Sequence, residues 1–114
     1  KFWYNEEHGD NTMKHDKLVR DKIVGMIEAG GKECKYHVAD DREYESRLKD
    51  KLFEEVREFF DDPSEEEMAD ISEVLDAIMG HYGIDPYEME TARQAKRFGR
   101  GGFEGRVVLE EVIG

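Results

Sequence analysis

Five acidic residues in two short segments have the types and spacing to hold a hard cation. Glu54, Glu55 and Glu58 lie within one stretch of five residues, and Glu67 and Asp70 follow after a gap of eight. On a helix, residues three or four apart project from the same face. Carboxylate oxygens are the ligands that Mg²⁺ prefers, usually together with the phosphates of a substrate. The spacing therefore predicts a magnesium site for a phosphate-bearing ligand, provided that two helices bring the segments together.

Carboxylates grouped in this way need a compensating charge. Two like charges about 5 Å apart repel by about 3 kcal/mol at an effective dielectric constant near 20, whereas a whole domain is stable by only about 5–15 kcal/mol. Protonation, basic partners or a metal ion would each supply the compensation. Calcium in an EF-hand is excluded because no such loop occurs, and no zinc spacing is found among the histidines, His8, His15, His37 and His81. Mg²⁺ is therefore the expected cofactor, with Mn²⁺ as a substitute.

Helix-start signals show which elements must position these carboxylates. Three aspartates each precede a glutamate by three residues, as in a capping box: Asp40, Asp62 and Asp85. Pro63 and Pro86 follow the last two and suit the first helical position. Helices are therefore predicted to begin near residues 41, 63 and 86. The connection over 61–64 is short, so the first two of them should run antiparallel and in contact.

The remaining elements are shorter. Apolar residues at helical spacing predict a first helix over 18–27, and three glycines predict that the last helix stops near residue 98. Segments 34–39 (CKYHVA) and 106–113 (RVVLEEVI) read as strands that pair with each other. The expected fold is mainly α: an α+β domain with a minor two-stranded β pairing, whose antiparallel helices form a bundle completed by oligomerisation.

Composition explains why we expect more than one subunit. The chain has 114 residues, of which 38% are apolar and 40% are charged, so one chain can bury only a thin core. A homodimer or homotetramer would supply the missing burial. Residues 1–12 show no sustained period, and we interpret them as an N-terminal extension or cloning remnant before a domain over 13–114.

Charge and cysteine usage restrict the partners and the compartment. The formal net charge of −12 argues against a nucleic acid polymer as partner, because phosphate backbones are bound by basic surfaces. No apolar run approaches the roughly 20 residues that cross a bilayer, so we expect no membrane partner. The single thiol, Cys34, can form no internal disulfide, which favours a reducing, cytoplasmic setting. A merely well-solvated surface is the plain alternative reading of the acidity.

Four segments, taken together, resemble one enzyme superfamily. EEVRE (54–58) followed by EEMAD (66–70) resembles the paired E-x-x-E and E-x-x-D motif of the MazG-like, all-α nucleoside triphosphate pyrophosphohydrolases. KLVRDKI (17–23) and RGGFEGRVVLEEV (100–112) look like the borders of a MazG-like subgroup of predicted house-cleaning enzymes. The likeness runs from about residue 14 to the end. Only eight residues separate Glu58 from Glu67, whereas many relatives have longer insertions, so we expect the nucleobase pocket either to be shallow or to be completed by another subunit.

The resemblance implies an enzyme, a hydrolase acting on acid anhydrides, and a role for each carboxylate. Glu55, Glu58, Glu67 and Asp70 would ligate Mg²⁺, and the catalytic group would comprise Glu54, Glu55 and Glu58, with Glu54 as auxiliary ligand or water-orienting base. A nucleoside triphosphate would be cut between its α and β phosphates into a nucleoside monophosphate and pyrophosphate. The substrate phosphates would be bound by basic side chains that lie before and after the acidic middle of the chain. By their position the candidates are Lys17, Arg20, Lys22, Lys96, Arg97 and Arg100.

Two other functions stay open on the sequence. Phosphoribosyl-ATP pyrophosphohydrolase uses the same metal chemistry on another nucleotide, and only the substrate separates the two activities. A non-catalytic acidic helical module that binds a protein partner is the alternative from a different class. Arg20 and Lys22 could equally form structural salt bridges at the first helix.

Overall fold

The computed structural model describes residues 15–114, and those residues are mainly helical, as predicted. They form α1 (Ile23–Ala29), α2 (Asp41–Asp61), α3 (Glu65–Tyr82) and α4 (Pro86–Arg100). The leader over 1–12 and Met13 lie outside the described residues. The chain divides into two compact units, Lys1–Ile78 and Met79–Gly114. All five carboxylates of the predicted metal site belong to the first unit.

Two of the predicted helix starts are confirmed in their capping contacts. The side chain of Asp40 accepts a hydrogen bond from the backbone N–H of Glu43 at 2.8 Å, and α2 begins at the next residue. The side chain of Asp85 accepts from the N–H of Tyr87 at 2.8 Å, and Pro86 opens α4. Each aspartate satisfies a donor that the first helical turn would otherwise leave without a partner.

The predicted start of α3 near residue 63 is wrong by two residues. Asp62 closes α2, where its backbone N–H bonds to the carbonyl of Glu58 at 3.1 Å. The hydroxyl of Ser64 accepts from the N–H of Glu67 at 3.1 Å, so this serine caps α3 in place of the aspartate. A residue before proline is disfavoured in the helical region, so Asp62 leaves the helix and the chain re-enters it after Pro63. The connection is therefore only 62–64.

The first helix is shorter than its apolar pattern predicts. The structure places α1 at Ile23–Ala29, so residues 18–22 precede it rather than form its first turn. The amide of Ile23 bonds to the carbonyl of Arg20 at 3.1 Å, which makes a turn ahead of the helix. Ahead of this turn, Arg47 of α2 donates to the backbone carbonyl of Asp16 at 2.7 Å and to its carboxylate at 3.1 Å, which holds the chain that leads into it.

The predicted β pairing is not formed. Residues 15–114 contain no β-strand, and both 34–39 and 106–113 lack regular structure. Strand-like side chains there stay exposed, including Val38 at 89% and Val107 at 89% of their full accessible surface. An isolated two-stranded pairing is marginal in water unless a third strand or a helix covers it. Alternation of residue types is thus not sufficient here to make a strand.

Few apolar side chains are buried in the described part of the chain. Ile23 of α1, Leu48 of α2 and Val74 of α3 are each less than 10% exposed. Phe59 and Phe60 pack edge to face with their ring centroids 5.3 Å apart, yet Phe60 is 75% exposed. This outcome agrees with the expectation of a thin core. No helix in the described region combines the length and apolarity that a transmembrane span requires.

Candidate metal and phosphate site

The carboxylates of α2 and α3 converge within the first unit. One carboxylate oxygen from each of Glu54, Glu55 and Glu58 lies within 4.8 Å of the other two, and the same holds for Glu55, Glu67 and Asp70. The first group belongs to α2 alone, whereas the second joins α2 to α3. The three-residue connection makes this possible. Glu55 lies about as many residues before the end of α2 as Asp70 lies after the start of α3. The helices therefore double back on each other.

Glu55 is the residue common to both groups, and it is buried. Its side chain is 2% exposed, which places it among the most buried side chains of the described residues. One oxygen of Glu58 and one of Glu67 are also shielded from solvent. Burial of an ionised carboxylate costs free energy unless opposite charge or hydrogen bonds compensate for it. The site therefore needs positive charge close to Glu55.

Two lysines supply part of that charge. The Nζ atom of Lys51 lies 3.2 Å from a carboxylate oxygen of Glu54 and 3.4 Å from one of Glu55. The Nζ atom of Lys17 lies 3.1 Å from the same oxygen of Glu54. Lys51 reaches both glutamates from one turn earlier on α2, whereas Lys17 comes from the segment before α1. Glu54 is thus held between two ammonium groups.

These contacts set the protonation of Glu54. Partial burial raises the pKa of this carboxyl, but the hydrogen bonds and positive charges of Lys17 and Lys51 together outweigh that effect. The net result is a pKa below the usual range of glutamate. Glu54 is therefore a carboxylate near neutral pH, in the form that can accept a proton or orient a water.

Arg20 makes the corresponding contact on α3. Its Nη2 donates to Oδ1 of Asp70 at 2.8 Å, and its Nη1 lies 4.0 Å from Glu73. About half of the Arg20 side chain is exposed, so its guanidinium borders the cluster rather than filling it. The structure thus places two of the predicted phosphate ligands, Lys17 and Arg20, directly on predicted site carboxylates. Both could change partners if an anion were bound beside them.

The other predicted phosphate ligands fall into two groups. Lys22 is exposed just ahead of α1 and forms no ion pair with any described residue. Lys96, Arg97 and Arg100 all belong to α4 in the second unit, where Arg97 pairs with Glu104 at 3.0 Å. Their predicted role is therefore neither supported nor opposed by the contacts of the first unit.

A small cavity lies beside the cluster. It measures about 50 Å³, and its lining includes Lys17, Lys51 and Glu54. A water molecule has a share of about 30 Å³ in the liquid, so this space suits one or two waters. A larger depression of about 440 Å³ runs along the first half of α2 and does not involve these carboxylates. Only the smaller of these two cavities adjoins the candidate site.

Lys51 was missed by sequence reasoning. It precedes Glu54 and Glu55 by three and four residues, the spacing at which helical side chains of opposite charge meet. That signal was readable, but the prediction sought basic residues on the flanks of the acidic segment and not within it.

The serine that caps α3 was missed in the same way, because its S-x-x-E pattern, Ser64 to Glu67, overlaps the aspartate pattern that was preferred.

Comparison with known proteins provides no relative from which roles could be transferred. Neither a protein-family model, nor a curated protein, nor a solved structure matches the chain.

Proposed function

We propose that this chain is a Mg²⁺-dependent nucleoside triphosphate pyrophosphohydrolase. The observation that carries the proposal is the position of Glu55, which is buried and shared by two groups of carboxylates from neighbouring helices. Hard oxygen donors at this separation fit Mg²⁺, which is usually bound by a few carboxylates and by substrate phosphates. The resemblance of the 54–58 and 66–70 segments to the MazG-like enzymes supplies the reaction. House-cleaning of non-canonical nucleotides is the biological role that this resemblance suggests.

The proposed chemistry assigns a task to each carboxylate. Glu55, Glu58, Glu67 and Asp70 would hold the ion, which when bound would polarise the phosphates and lower the pKa of a bound water. Glu54, which its lysine neighbours keep ionised, would orient the attacking water through a hydrogen bond. Water adds across the anhydride between the α and β phosphates, which releases a nucleoside monophosphate and pyrophosphate.

Lys17 and Arg20 would serve the substrate by exchanging partners. Each now contacts a site carboxylate, at 3.1 Å from Glu54 and at 2.8 Å from Asp70 respectively. A cation bound by the carboxylates would displace these side chains electrostatically, and the phosphates that accompany the cation would offer them new acceptors. Guanidinium and ammonium groups both bind phosphate oxygens well.

Assembly with a second copy is part of the proposal. Residues seven apart share a helix face, and Phe53 with Phe60 on α2 are 57% and 75% exposed. Met68 and Leu75 on α3 have the same spacing and are 48% and 44% exposed. Each helix thereby carries an exposed apolar face of the kind that helix bundles bury. A homodimer or homotetramer would cover these faces, in a cytoplasmic setting.

A non-catalytic module remains the second candidate, and a specific observation favours it. The ion pairs of Lys17, Arg20 and Lys51 already compensate part of the acidic cluster, so the carboxylates have a structural use without any metal. The apolar face would then bind a different protein. Phosphoribosyl-ATP hydrolysis, by contrast, differs from the proposed reaction only in substrate.

Pyrophosphate release tests the proposal. The intact chain is incubated with Mg²⁺ and a panel of canonical and damaged nucleoside triphosphates, with phosphoribosyl-ATP as a further substrate. We expect release from at least one triphosphate, and we expect Glu58→Gln to lower it by at least about 100-fold, in the range that essential catalytic groups show. Asp76→Asn, an exposed carboxylate on the same α3, is the matched control and should keep full activity. Release that needs no divalent cation, or that survives in Glu58→Gln, contradicts the proposal.

A further inference from the structure

Two ammonium groups contact the same oxygen of Glu54. The Nζ atom of Lys17 lies 3.1 Å from Oε1 of this glutamate, and the Nζ atom of Lys51 lies 3.2 Å from it. A carboxylate is planar and has two oxygens, so contacts that hold one oxygen also restrict where the other one points. Glu54 therefore has a restricted orientation within the candidate site, which a residue that orients a water requires.

The two lysines reach Glu54 from different parts of the chain. Lys51 precedes it by three residues on α2, and side chains three apart on a helix are neighbours. Lys17 comes from the segment before α1, 37 positions away. The Lys51 side chain is 16% exposed, whereas that of Lys17 is 39% exposed. Lys17 is therefore the more accessible of the two to an incoming anion, and Lys51 is the more firmly placed.

Lys51 also has a second partner at the centre of the site. Its Nζ atom lies 3.4 Å from Oε1 of Glu55, the buried glutamate that both carboxylate groups share. Burial of a carboxylate is costly without opposite charge nearby, so this contact favours retention of Lys51 in the folded chain. One ammonium group thus joins the proposed water-orienting residue to a proposed metal ligand.

The small cavity beside the cluster provides space for a water when Lys17 moves. Its volume is about 50 Å³, its lining includes Lys17, Lys51 and Glu54, and it suits one or two waters. Under the proposed function Lys17 turns to the substrate phosphates, so Oε1 of Glu54 loses one of its two donors. A water in this cavity can replace that donor, while Lys51 keeps the carboxylate in place.

We propose that Lys51 is a positioning residue, the permanent partner that holds Glu54 and Glu55 in place, whereas Lys17 is an exchangeable partner. This inference rests on the proposed function, because it gives Lys51 a part in that same reaction. Lys51 acts through the two glutamates and does not contact the substrate. Its removal should therefore lower turnover, whereas removal of Lys17 should weaken substrate binding.

Steady-state kinetics of pyrophosphate release separate the two lysines. The full chain is assayed with Mg²⁺ and the triphosphate that wild type hydrolyses fastest. Lys51→Met should lower kcat about tenfold or more and change KM by no more than about threefold, and Lys17→Met should do the reverse. Lys51→Arg keeps the positive charge and should recover most of kcat. Lys49→Met removes an exposed lysine of the same helix and should match wild type.

Mn²⁺ binding without substrate distinguishes positioning from general support of the fold. The ammonium group of Lys51 repels a divalent cation held by Glu55, so Lys51→Met should bind Mn²⁺ several-fold more tightly by calorimetry. A variant that is damaged in its fold would instead bind Mn²⁺ more weakly. The expected combination is therefore slower turnover together with tighter metal binding.

The outcomes also separate this inference from the proposed function. Wild-type kcat in Lys51→Met, parallel loss of kcat and Mn²⁺ affinity, or no recovery in Lys51→Arg would each overturn the positioning role and leave the proposed function intact. Equal effects of Lys51→Met and Lys17→Met on kcat would overturn the division between a permanent and an exchangeable partner. A wild-type chain that releases no pyrophosphate from any triphosphate overturns the proposed function, and this inference with it.

Discussion

Arg20 donates from Nη2 to Oδ1 of Asp70 at 2.8 Å, so the segment before α1 is joined to α3 at a predicted metal ligand. Under the proposed function, the acidic site has two states of charge. In one state the guanidinium compensates the aspartate, and in the other a divalent cation would do so. The proposal therefore gives the aspartate two uses, a structural ion pair and a metal contact, and it requires the arginine to release the aspartate when an ion binds.

Replacement of Arg20 by alanine separates the two uses. About half of the arginine side chain is exposed, so we expect the metal-free chain to lose no more than about 1 kcal/mol of stability. Asp70 then has no arginine competing for it, and Mn²⁺ should bind several-fold more tightly by calorimetry. Arg57→Ala, an exposed arginine of α2, serves as control. Unchanged Mn²⁺ affinity in Arg20→Ala would show that the pair does not compete with metal.

Divalent cations should stabilise the folded chain. A ligand that binds only the folded state raises stability by mass action, by about 2.7 kcal/mol at one hundred times its dissociation constant. Melting temperature is measured with Mg²⁺, with Mn²⁺ and with chelator. Glu58→Gln and Asp70→Asn should each abolish most of the increase, while Asp76→Asn should retain it. Identical melting curves with metal and with chelator would count directly against the metal site.

The lowered pKa of Glu54 predicts a specific acid sensitivity. A carboxyl whose pKa is lower in the folded state contributes stability above its unfolded-state value, about 4.3 for glutamate, and loses it as the pH falls through the folded-state value. Glu54→Gln should therefore cost about 0.5–1 kcal/mol at pH 7, and this difference from wild type should shrink as the pH falls below about 4. Urea unfolding at each pH measures it. A difference that does not vary with pH would assign the cost to packing.

Leu48 should be the most sensitive apolar position. Its side chain is 2% exposed, and truncation of a buried leucine to alanine costs about 2–5 kcal/mol. With so few buried apolar side chains in the described residues, Leu48→Ala should lower the urea midpoint sharply or prevent cooperative unfolding. Val38→Ala removes an apolar side chain that is 89% exposed and should be neutral. Comparable losses in both variants would mean that the buried position is not a core position.

The sequence predicted the helices well where local chemistry decides them. Asp40 and Asp85 cap α2 and α4 as their patterns indicate, because a cap requires only residues within one turn. The convergence of Glu55 with Glu67 and Asp70 was also predictable, since helical spacing and a short connection determine it. Sequence patterns failed at 34–39 and at 106–113, where a strand depends on a partner that lies elsewhere.

The ion pairs were beyond sequence reasoning for a different reason. Lys17 and Glu54 are separated by 37 positions, and Arg20 and Asp70 by 50, so only the tertiary fold brings each pair together. Both cations contact carboxylates in the structure, and their role toward phosphate stays a prediction. Lys51, by contrast, is local to its glutamates and was within reach of the helical-spacing rule.

The connection over 62–64 is so short that it fixes how α2 and α3 are aligned along their axes. Ser64 fixes where α3 begins, and Asp62 fixes where α2 ends, so the axial alignment of Glu55 with Glu67 is set by three residues of chain. Lengthening that connection would let one helix slide against the other by up to a residue or more, and each residue of a helix advances by about 1.5 Å. Insertions that most surface loops accept would here pull the acid groups out of register, so this turn is a place where chain length, and not only residue type, is constrained.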